Sequence, residues 1–158
     1  SIYGDMDNII DNVISITLFD EFKIRSPEKV LKKECNILLG SYFNYVSKNE
    51  SHLLIDKLST YFEEKENKFY IPHPMESKEY FHFIERLPQG VLAEDLILEL
   101  GQEYEKVNVY GIASSALFNL LGVSWVNVYT LISIELTDNC NSLSKSLVND
   151  GGSPFYIE

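Results

Sequence analysis

The histidines are the side chains of this sequence best suited to acid–base or metal chemistry. His82 has Glu79 and Glu85 three residues to either side, so a helix would place all three on one face. Such a trio could bind a metal ion or transfer a proton. An exposed histidine stabilised by two neighbouring acids is the alternative, and we favour it.

His73 is the second candidate, because it lies between Pro72 and Pro74. Two prolines break a helix on both sides, so the sequence predicts an irregular loop, where binding residues are frequent. One loop histidine without a defined partner is weak evidence for a site. Ser114 and Ser115 lie in an apolar stretch without an evident base, and we interpret them as packing residues.

No established catalytic motif is present in the sequence. It contains no H-E-x-x-H, no G-x-S-x-G, no phosphate-binding loop and no dinucleotide fingerprint. We therefore predict that the protein is not an enzyme, with no catalytic residues, no metal site and no cofactor.

The clearest functional pattern is an acidic segment, predicted as a helix over residues 91–104. Asp95, Glu99 and Glu103 are spaced by four residues, so like charges follow one another along one face. Unpaired acids around apolar side chains suit the docking of a basic and partly apolar partner. The predicted partner-binding residues are Leu92, Glu94, Asp95, Leu98, Glu99, Glu103 and Glu105. The alternative is a solvated face with two leucines covered by loops.

Net charge and composition narrow the class of partner. The 158 residues carry a formal charge of −11 at pH 7, whereas nucleic acids and anionic membranes require a cationic surface. We predict neither as a direct partner and favour a basic protein. A hydrophobic content of 45% argues against disorder and allows one domain, residues 1–158, with a substantial core.

The core is predicted to form around Val107–Ile134, which contains no Asp, Glu, Lys or Arg. Its serines and asparagines disfavour a membrane hairpin. We predict two buried helices, residues 109–121 and 124–136, with Gly122 between them and Ser124 as the second cap. A strand is the rival for residues 124–136, because β-branched and apolar residues alternate there.

The remaining segments also show mostly helical spacing. Helices are predicted over residues 5–22, 26–47, 51–64 and 91–104, from Ser77 to Leu87, and around Leu143 and Leu147. We find no internal repeat. The predicted fold is all-α, a single-domain orthogonal bundle of six or seven helices around the buried pair at 109–136. The alternative is α+β, with strands near 69–71 and 124–136.

Two cysteines are too few for a disulfide framework, and we expect Cys35 and Cys140 to be reduced thiols in a cytoplasmic protein. No signal peptide is evident.

Together these features predict an acidic binding protein, most concretely an immunity or antitoxin protein that inhibits a cationic nuclease toxin. Opposite charge would speed encounter with such a toxin. The alternatives are a homodimeric acidic chaperone for a secreted effector, a viral helical interaction protein with an apolar groove, and an enzyme using the His82 trio.

Overall fold

The protein is built on a parallel β-sheet, not on a helical bundle. A computed structural model describes residues 31–158. In chain order the strands are β1 (Lys32–Leu39), β2 (Lys68–Ile71), β3 (Glu85–Arg86), β4 (Tyr104–Gly111), β5 (Val126–Leu131) and β6 (Ser153–Phe155). The sheet order is β3-β2-β1-β4-β5-β6, and every neighbouring pair is parallel. This is the doubly wound order of dinucleotide-binding folds.

Five helices connect these strands within residues 31–158. They are α1 (Phe43–Val46), α2 (Ser51–Glu63), α3 (Ala93–Gly101), α4 (Ser115–Leu120) and α5 (Asp138–Asn149). Side chains of α3 and α4, with Leu147 of α5, pack on one face of the sheet. Side chains of α1 and α2 pack on the other face. The architecture is therefore α/β, with helices on both sides of the sheet.

The all-α prediction is wrong, and burial on both faces explains the error. In β1, Cys35, Ile37 and Leu39 join the core on the α3–α4 side, while Leu38 joins the core on the α2 side. A strand buried on both faces has a continuous apolar run, which periodicity alone does not distinguish from a buried helix. Within its described part, the helix predicted over residues 26–47 is replaced by β1, and only Phe43–Val46 is helical there.

The predicted pair of buried helices is also wrong. Residues 109–121 are divided between the end of β4 and the short helix α4, and β5 replaces the helix at 124–136. The α+β alternative placed strands near 69–71 and 124–136, where β2 and β5 lie, but both belong to one parallel α/β sheet. Val107–Ile134 nevertheless supplies much of the core, including Val109, Leu117 and Val128.

The sequence contains a short repeat, although none was expected. Val107–Tyr110 and Val126–Tyr129 both read Val-Asn-Val-Tyr, and the two copies pair in register in β4 and β5. Asn108 lies beside Asn127, and Tyr110 beside Tyr129. Asn36 of β1 occupies the same level of the sheet as Asn108.

Other helix predictions had mixed outcomes. Helix α2 at Ser51–Glu63 confirms the helix predicted over 51–64, and α5 contains Leu143 and Leu147. The helix predicted from Ser77 to Leu87 is absent, since the only regular element in that range is strand β3. Phe81 has a φ of 59°, which a helix cannot accommodate, and its ring packs 5.1 Å from that of Tyr70.

Some expectations concern parts of the chain outside the described residues. The helix predicted over 5–22 lies there, and the single-domain prediction for residues 1–158 therefore stays a prediction. Between residues 31 and 158, no helix is both long and apolar enough to cross a bilayer. Cys35 and Cys140 are buried and are not joined in a disulfide.

Candidate functional site

A crevice opens at the carboxyl ends of β1, β2 and β4. The connection after β1 leads to β2 on one side, whereas β4 lies on the other side, so the strand order reverses at this point. Open α/β sheets bind their ligands at such a switch point. The cavity has a volume of about 380 Å³ and is lined by residues 39–40, 71–74, 90–94 and 114–116.

Gly40, at the carboxyl end of β1, allows the loop after β2 to approach closely. Its backbone N–H donates to the carbonyl of Ile71 over 2.7 Å. A Cβ at this position would lie 2.6 Å from the backbone nitrogen of His73, 2.6 Å from the Tyr70 hydroxyl and 2.9 Å from the Ile71 carbonyl oxygen. Because two of these atoms belong to the backbone, only glycine fits here without a shift of the loop.

His73 lies in the wall formed by the loop after β2. The backbone N–H of Met75 donates to Nδ1 of its ring over 3.0 Å. Since a backbone N–H only donates, Nδ1 must be the acceptor, and the neutral ring carries its hydrogen on Nε2. His73, one of the residues that line the crevice, therefore carries a hydrogen-bond donor at Nε2. The ring of Tyr42, half exposed, lies 6.4 Å from it between centroids.

The base of this loop is attached to the sheet by a buried carboxylate. Glu76 accepts hydrogen bonds from the Tyr70 hydroxyl at 3.1 Å and pairs with Nη2 of Arg86 at 3.3 Å. Only 2% of the Glu76 side chain is exposed, so its charge is balanced almost entirely within the protein. Burial first, and then the charge of Glu76, raise the pKa of Tyr70 well above its usual range, so this hydroxyl remains a donor.

The opposite wall follows β4, where Gly111 is succeeded by a tight turn into α4. Ala113 has a φ of 32°, an uncommon conformation for a residue with a Cβ, and its N–H donates to the Thr130 hydroxyl. Ser114 caps α4 by accepting from the N–H of Leu117. Ser115 is exposed at the cavity and is not packed in the core. This wall therefore adds a hydroxyl to the crevice.

The third wall contains two residues of the predicted docking surface. Leu92 precedes α3 and is 67% exposed, and Glu94 lies in its first turn. Both line the crevice, and Glu94 is the only Asp, Glu, Lys or Arg among the lining residues within 31–158. A carboxylate suits hydroxyl groups as ligands, because it accepts hydrogen bonds from them.

The other five residues of the predicted surface do not line the crevice. Asp95 and Glu99 lie on α3, while Leu98 packs partly against the core. Helix α3 ends at Gly101, so Glu103 lies beyond it and Glu105 belongs to β4. The acidic helix predicted over 91–104 is therefore shorter than expected, because α3 covers only Ala93–Gly101. Binding of a basic protein through these residues stays a prediction.

The trio around His82 loses its structural basis, because Glu79 and His82 are not helical and Glu85 begins β3. Across residues 31–158, no three His, Cys, Asp or Glu side chains come together as a metal centre would require.

A second polar cluster lies on the face of the sheet that α2 partly covers. Nδ2 of Asn127 donates to Oδ1 of Asn108 over 2.9 Å, and Nδ2 of Asn108 donates to Asn36 over 3.2 Å and to Glu34 over 3.1 Å. We call Asn36, Asn108 and Asn127 the asparagine ladder. It lies in a polar groove of about 690 Å³, but its amides bond to one another. The crevice, where Nε2 of His73 has no hydrogen-bond partner within the described part of the chain, is the better candidate site.

The profile of Glycosyltransferase family 52 matches residues 2–136, most of the chain. The chain belongs to glycosyltransferase family 52. No curated protein matches it at a significant level. Within the family 52 match lie all three walls of the crevice and the strands β1 to β5.

Membership of family 52 corrects the functional prediction. The prediction of a non-enzymatic protein is wrong, as are the descriptions as an immunity protein, antitoxin or toxin inhibitor. Sequence reasoning missed Gly40 and Ser115 and gave His73 little weight. Their positions in the sequence were the available indication. Each of these residues follows an apolar run that forms a strand, and parallel strands place their carboxyl ends at one edge of the sheet.

Proposed function

We propose that the crevice binds the nucleotide of an activated sugar donor, and that the protein transfers the sugar to an acceptor hydroxyl. The observation that carries this proposal is the position of the crevice. It lies at the switch point of a doubly wound sheet, in a member of a glycosyltransferase family. Family membership supports the reaction class, and the lining residues support a site for it.

The reaction needs groups that stabilise a leaving phosphate. The acceptor oxygen forms a bond to the anomeric carbon of the sugar, and the bond from that carbon to a phosphate oxygen breaks. The electron pair remains on the phosphate, and the acceptor proton passes to a base. Hydrogen-bond donors placed where charge develops lower the barrier to such a step. Nε2–H of His73 and the Ser115 hydroxyl are the side-chain donors that we assign to this role in the crevice.

The remaining lining suits the other parts of a nucleotide sugar. Glu94 is able to accept hydrogen bonds from sugar hydroxyls. Tyr42, next to His73, presents a half-exposed ring against which a base or sugar can pack. With no lysine or arginine among the described lining residues, His73 and Ser115 are the side-chain donors that we assign to the phosphate. We therefore expect moderate affinity that depends strongly on each donor.

A titration experiment tests this function. Nucleoside mono- and diphosphates of each base are titrated into the protein by calorimetry, and the matching nucleotide sugars are then tested for transfer. Loss of one phosphate hydrogen bond costs about 1.5–3 kcal/mol, so His73→Ala should weaken the nucleotide that binds best roughly 10- to 100-fold. His73→Gln, which retains an N–H donor near the position of Nε2, should weaken it less.

His82→Ala serves as the matched control, because His82 is exposed and lies outside the crevice. It should bind like the wild type. If no nucleotide of the series binds, or if His73→Ala binds like His82→Ala, the crevice is not the donor site.

A cytoplasmic location forms part of the same proposal. Its support is that Cys35 and Cys140 are buried thiols without a disulfide between them, as is usual in a reducing compartment. Fractionation of the source cells tests this location.

A further inference from the structure

Gln89 is exposed and outside the crevice lining, yet its side chain holds the loop that carries His73. Its Nε2 donates to the carbonyl oxygens of His73 at 2.9 Å, Pro74 at 3.3 Å and Glu76 at 2.9 Å. The two N–H bonds of one amide are thus shared among three carbonyl oxygens of the same loop. We call these three contacts the Gln89 clamp.

The loop needs such a clamp because of its sequence. Pro72 and Pro74 have no backbone N–H, so the chain around His73 cannot form a regular ladder or helix. Its own backbone supplies one turn, in which the N–H of Glu76 donates to the carbonyl of His73 over 3.0 Å. Gln89 provides a second restraint on that carbonyl and restrains its neighbours as well.

The clamp acts on the ring of His73 through the backbone. The Met75 N–H reaches Nδ1 only while the chain between residues 73 and 75 keeps its bend. Two of the three clamped carbonyls, those of His73 and Pro74, lie within that bend. If the bend opened, the ring would lose the bond that keeps Nδ1 as acceptor. The ring would then exchange between tautomers, and Nε2 would be a donor for only part of the time.

The far end of the loop has an independent attachment. Glu76 is held by Tyr70 and Arg86, both connected to the sheet, and its carboxylate is buried. Removal of the Gln89 amide should therefore leave this anchor and the fold intact. The effect of Gln89 is confined to the segment that orients His73.

We propose that Gln89 is a positioning residue, whose amide clamps residues 73–76 so that His73 keeps Nε2–H as a fixed donor in the crevice. This inference rests on the proposed function for its consequence, since the donor matters only if a phosphate binds there. It adds a residue that touches no substrate and acts through the loop.

Nitrogen NMR of the ligand-free protein tests the clamp without any substrate. The ring nitrogens of His73 should show the Nε2–H tautomer in the wild type, with His52 and His82 as internal controls in the same spectrum. In Gln89→Leu, which has similar volume but no donor, the His73 signals should move toward tautomer-averaged values while those of His52 and His82 stay. Gln89→Lys, which retains N–H donors, should restore at least part of the wild-type pattern.

Titration of the same proteins with the best-binding nucleoside diphosphate tests the consequence. Gln89→Leu should weaken binding about 10-fold, and Gln89→Lys should recover most of the loss. If Gln89→Leu leaves the His73 tautomer unchanged, or changes it without any loss of affinity, Gln89 has no positioning role. If the tautomer changes in a protein that binds no nucleotide even as wild type, the clamp stands and the proposed function fails.

Discussion

The crevice and the asparagine ladder are two polar regions of one sheet, and they use their polar groups in opposite ways. In the ladder, side-chain amides on adjacent strands bond to each other, held by the register of β1, β4 and β5. In the crevice, the bonds go mostly from side chain to loop backbone, and Nε2–H of His73 has no hydrogen-bond partner within residues 31–158. Polar side chains that bond to one another stabilise a fold, whereas donors without an internal partner are available to a ligand.

Aromatic rings pack next to the asparagine ladder on the same strands. Tyr110 and Tyr129 stack at 4.6 Å with an angle of 10°, and the Lys65 ammonium lies 4.8 Å from the Tyr110 and Tyr61 centroids. Burial lowers the pKa of Lys65, although the charge of Glu34 opposes this shift. Substitutions in the asparagine ladder should therefore change stability, whereas substitutions in the crevice should change binding.

Asn108→Asp should give the largest effect. Asn108 is 6% exposed and donates to both Asn36 and Glu34, so a carboxylate there loses two donors and meets a like charge. We expect the free energy of unfolding to fall by about 3 kcal/mol at pH 7, with Tm lower by about 6–12 °C. Calorimetric or denaturant unfolding measures the change.

The pH dependence of Asn108→Asp identifies the cause. Burial beside Glu34 raises the pKa of the new carboxyl in the folded state above its unfolded value, so the folded protein binds the proton more tightly. The destabilisation should be complete above the folded pKa and shrink as pH falls through it. Asn108→Leu, the uncharged control, should lose less and show no such pH dependence. Wild-type stability of Asn108→Asp at pH 7 would contradict the structural role of the ladder.

Gly40→Ala should have an intermediate effect on stability and a strong effect on binding. The added Cβ would lie 2.6 Å from the His73 backbone nitrogen, and overpacking of this kind costs about 1–3 kcal/mol. Because the relief of that contact moves the His73 loop, nucleotide affinity should fall at least as far as in His73→Ala.

Gly122→Ala is the matched control for Gly40→Ala. Gly122 has a φ of 94°, and a Cβ added there would have nothing within 4 Å, so alanine strains the backbone without touching a neighbour. It should lose about 1–2 kcal/mol of stability yet bind nucleotide like the wild type. Equal binding by both alanine variants would show that Gly40 does not position the His73 loop for nucleotide binding.

Tyr110→Phe should have the smallest effect at neutral pH. Burial chiefly, and then the neighbouring tyrosines, raise the pKa of Tyr110. Above pH 10 the unfolded chain releases this proton while the folded protein retains it, so stability falls as pH rises. Between pH 7 and pH 11 this one group should account for about 1 kcal/mol of the loss, which Tyr110→Phe removes. Tyr156→Phe, at an exposed position, is the control, and a similar alkaline loss in both variants would contradict burial as the cause.

The location of the core was easier to predict from the sequence than the type of secondary structure. The charge-free stretch from Val107 to Ile134 does supply much of the core, although Ile134 itself is 71% exposed, because exclusion of charge from the interior does not depend on secondary structure. The choice between helix and strand failed in the same stretch. Strand β4 is buried on both faces at its end and shows no clean alternation, whereas the alternation over residues 124–136 was present and the helical spacing was preferred to it. The repeated Val-Asn-Val-Tyr was the missed indication of paired strands.

The site was harder to predict than the core. His73, Ser115 and Gly40 are far apart in the sequence, and only the strand order brings them to one edge. Leu92 and Glu94 were selected for a docking surface and lie in the crevice wall for a different reason. The Gln89 clamp depends on three carbonyl positions in an irregular loop, which residue types alone do not specify.

The repeated tetrapeptide gives β4 and β5 the same four residues for pairing with a neighbouring strand. Because β4 and β5 both carry Val-Asn-Val-Tyr, either copy could extend the ladder from Asn36 when strands first associate. The residue before each copy separates the two outcomes: Lys106 lies opposite Glu34 in the native pairing, whereas the exchanged strand would present Trp125 to that carboxylate. Opposite charges at these facing positions of β1 and β4 therefore favour the native neighbour over the exchanged one.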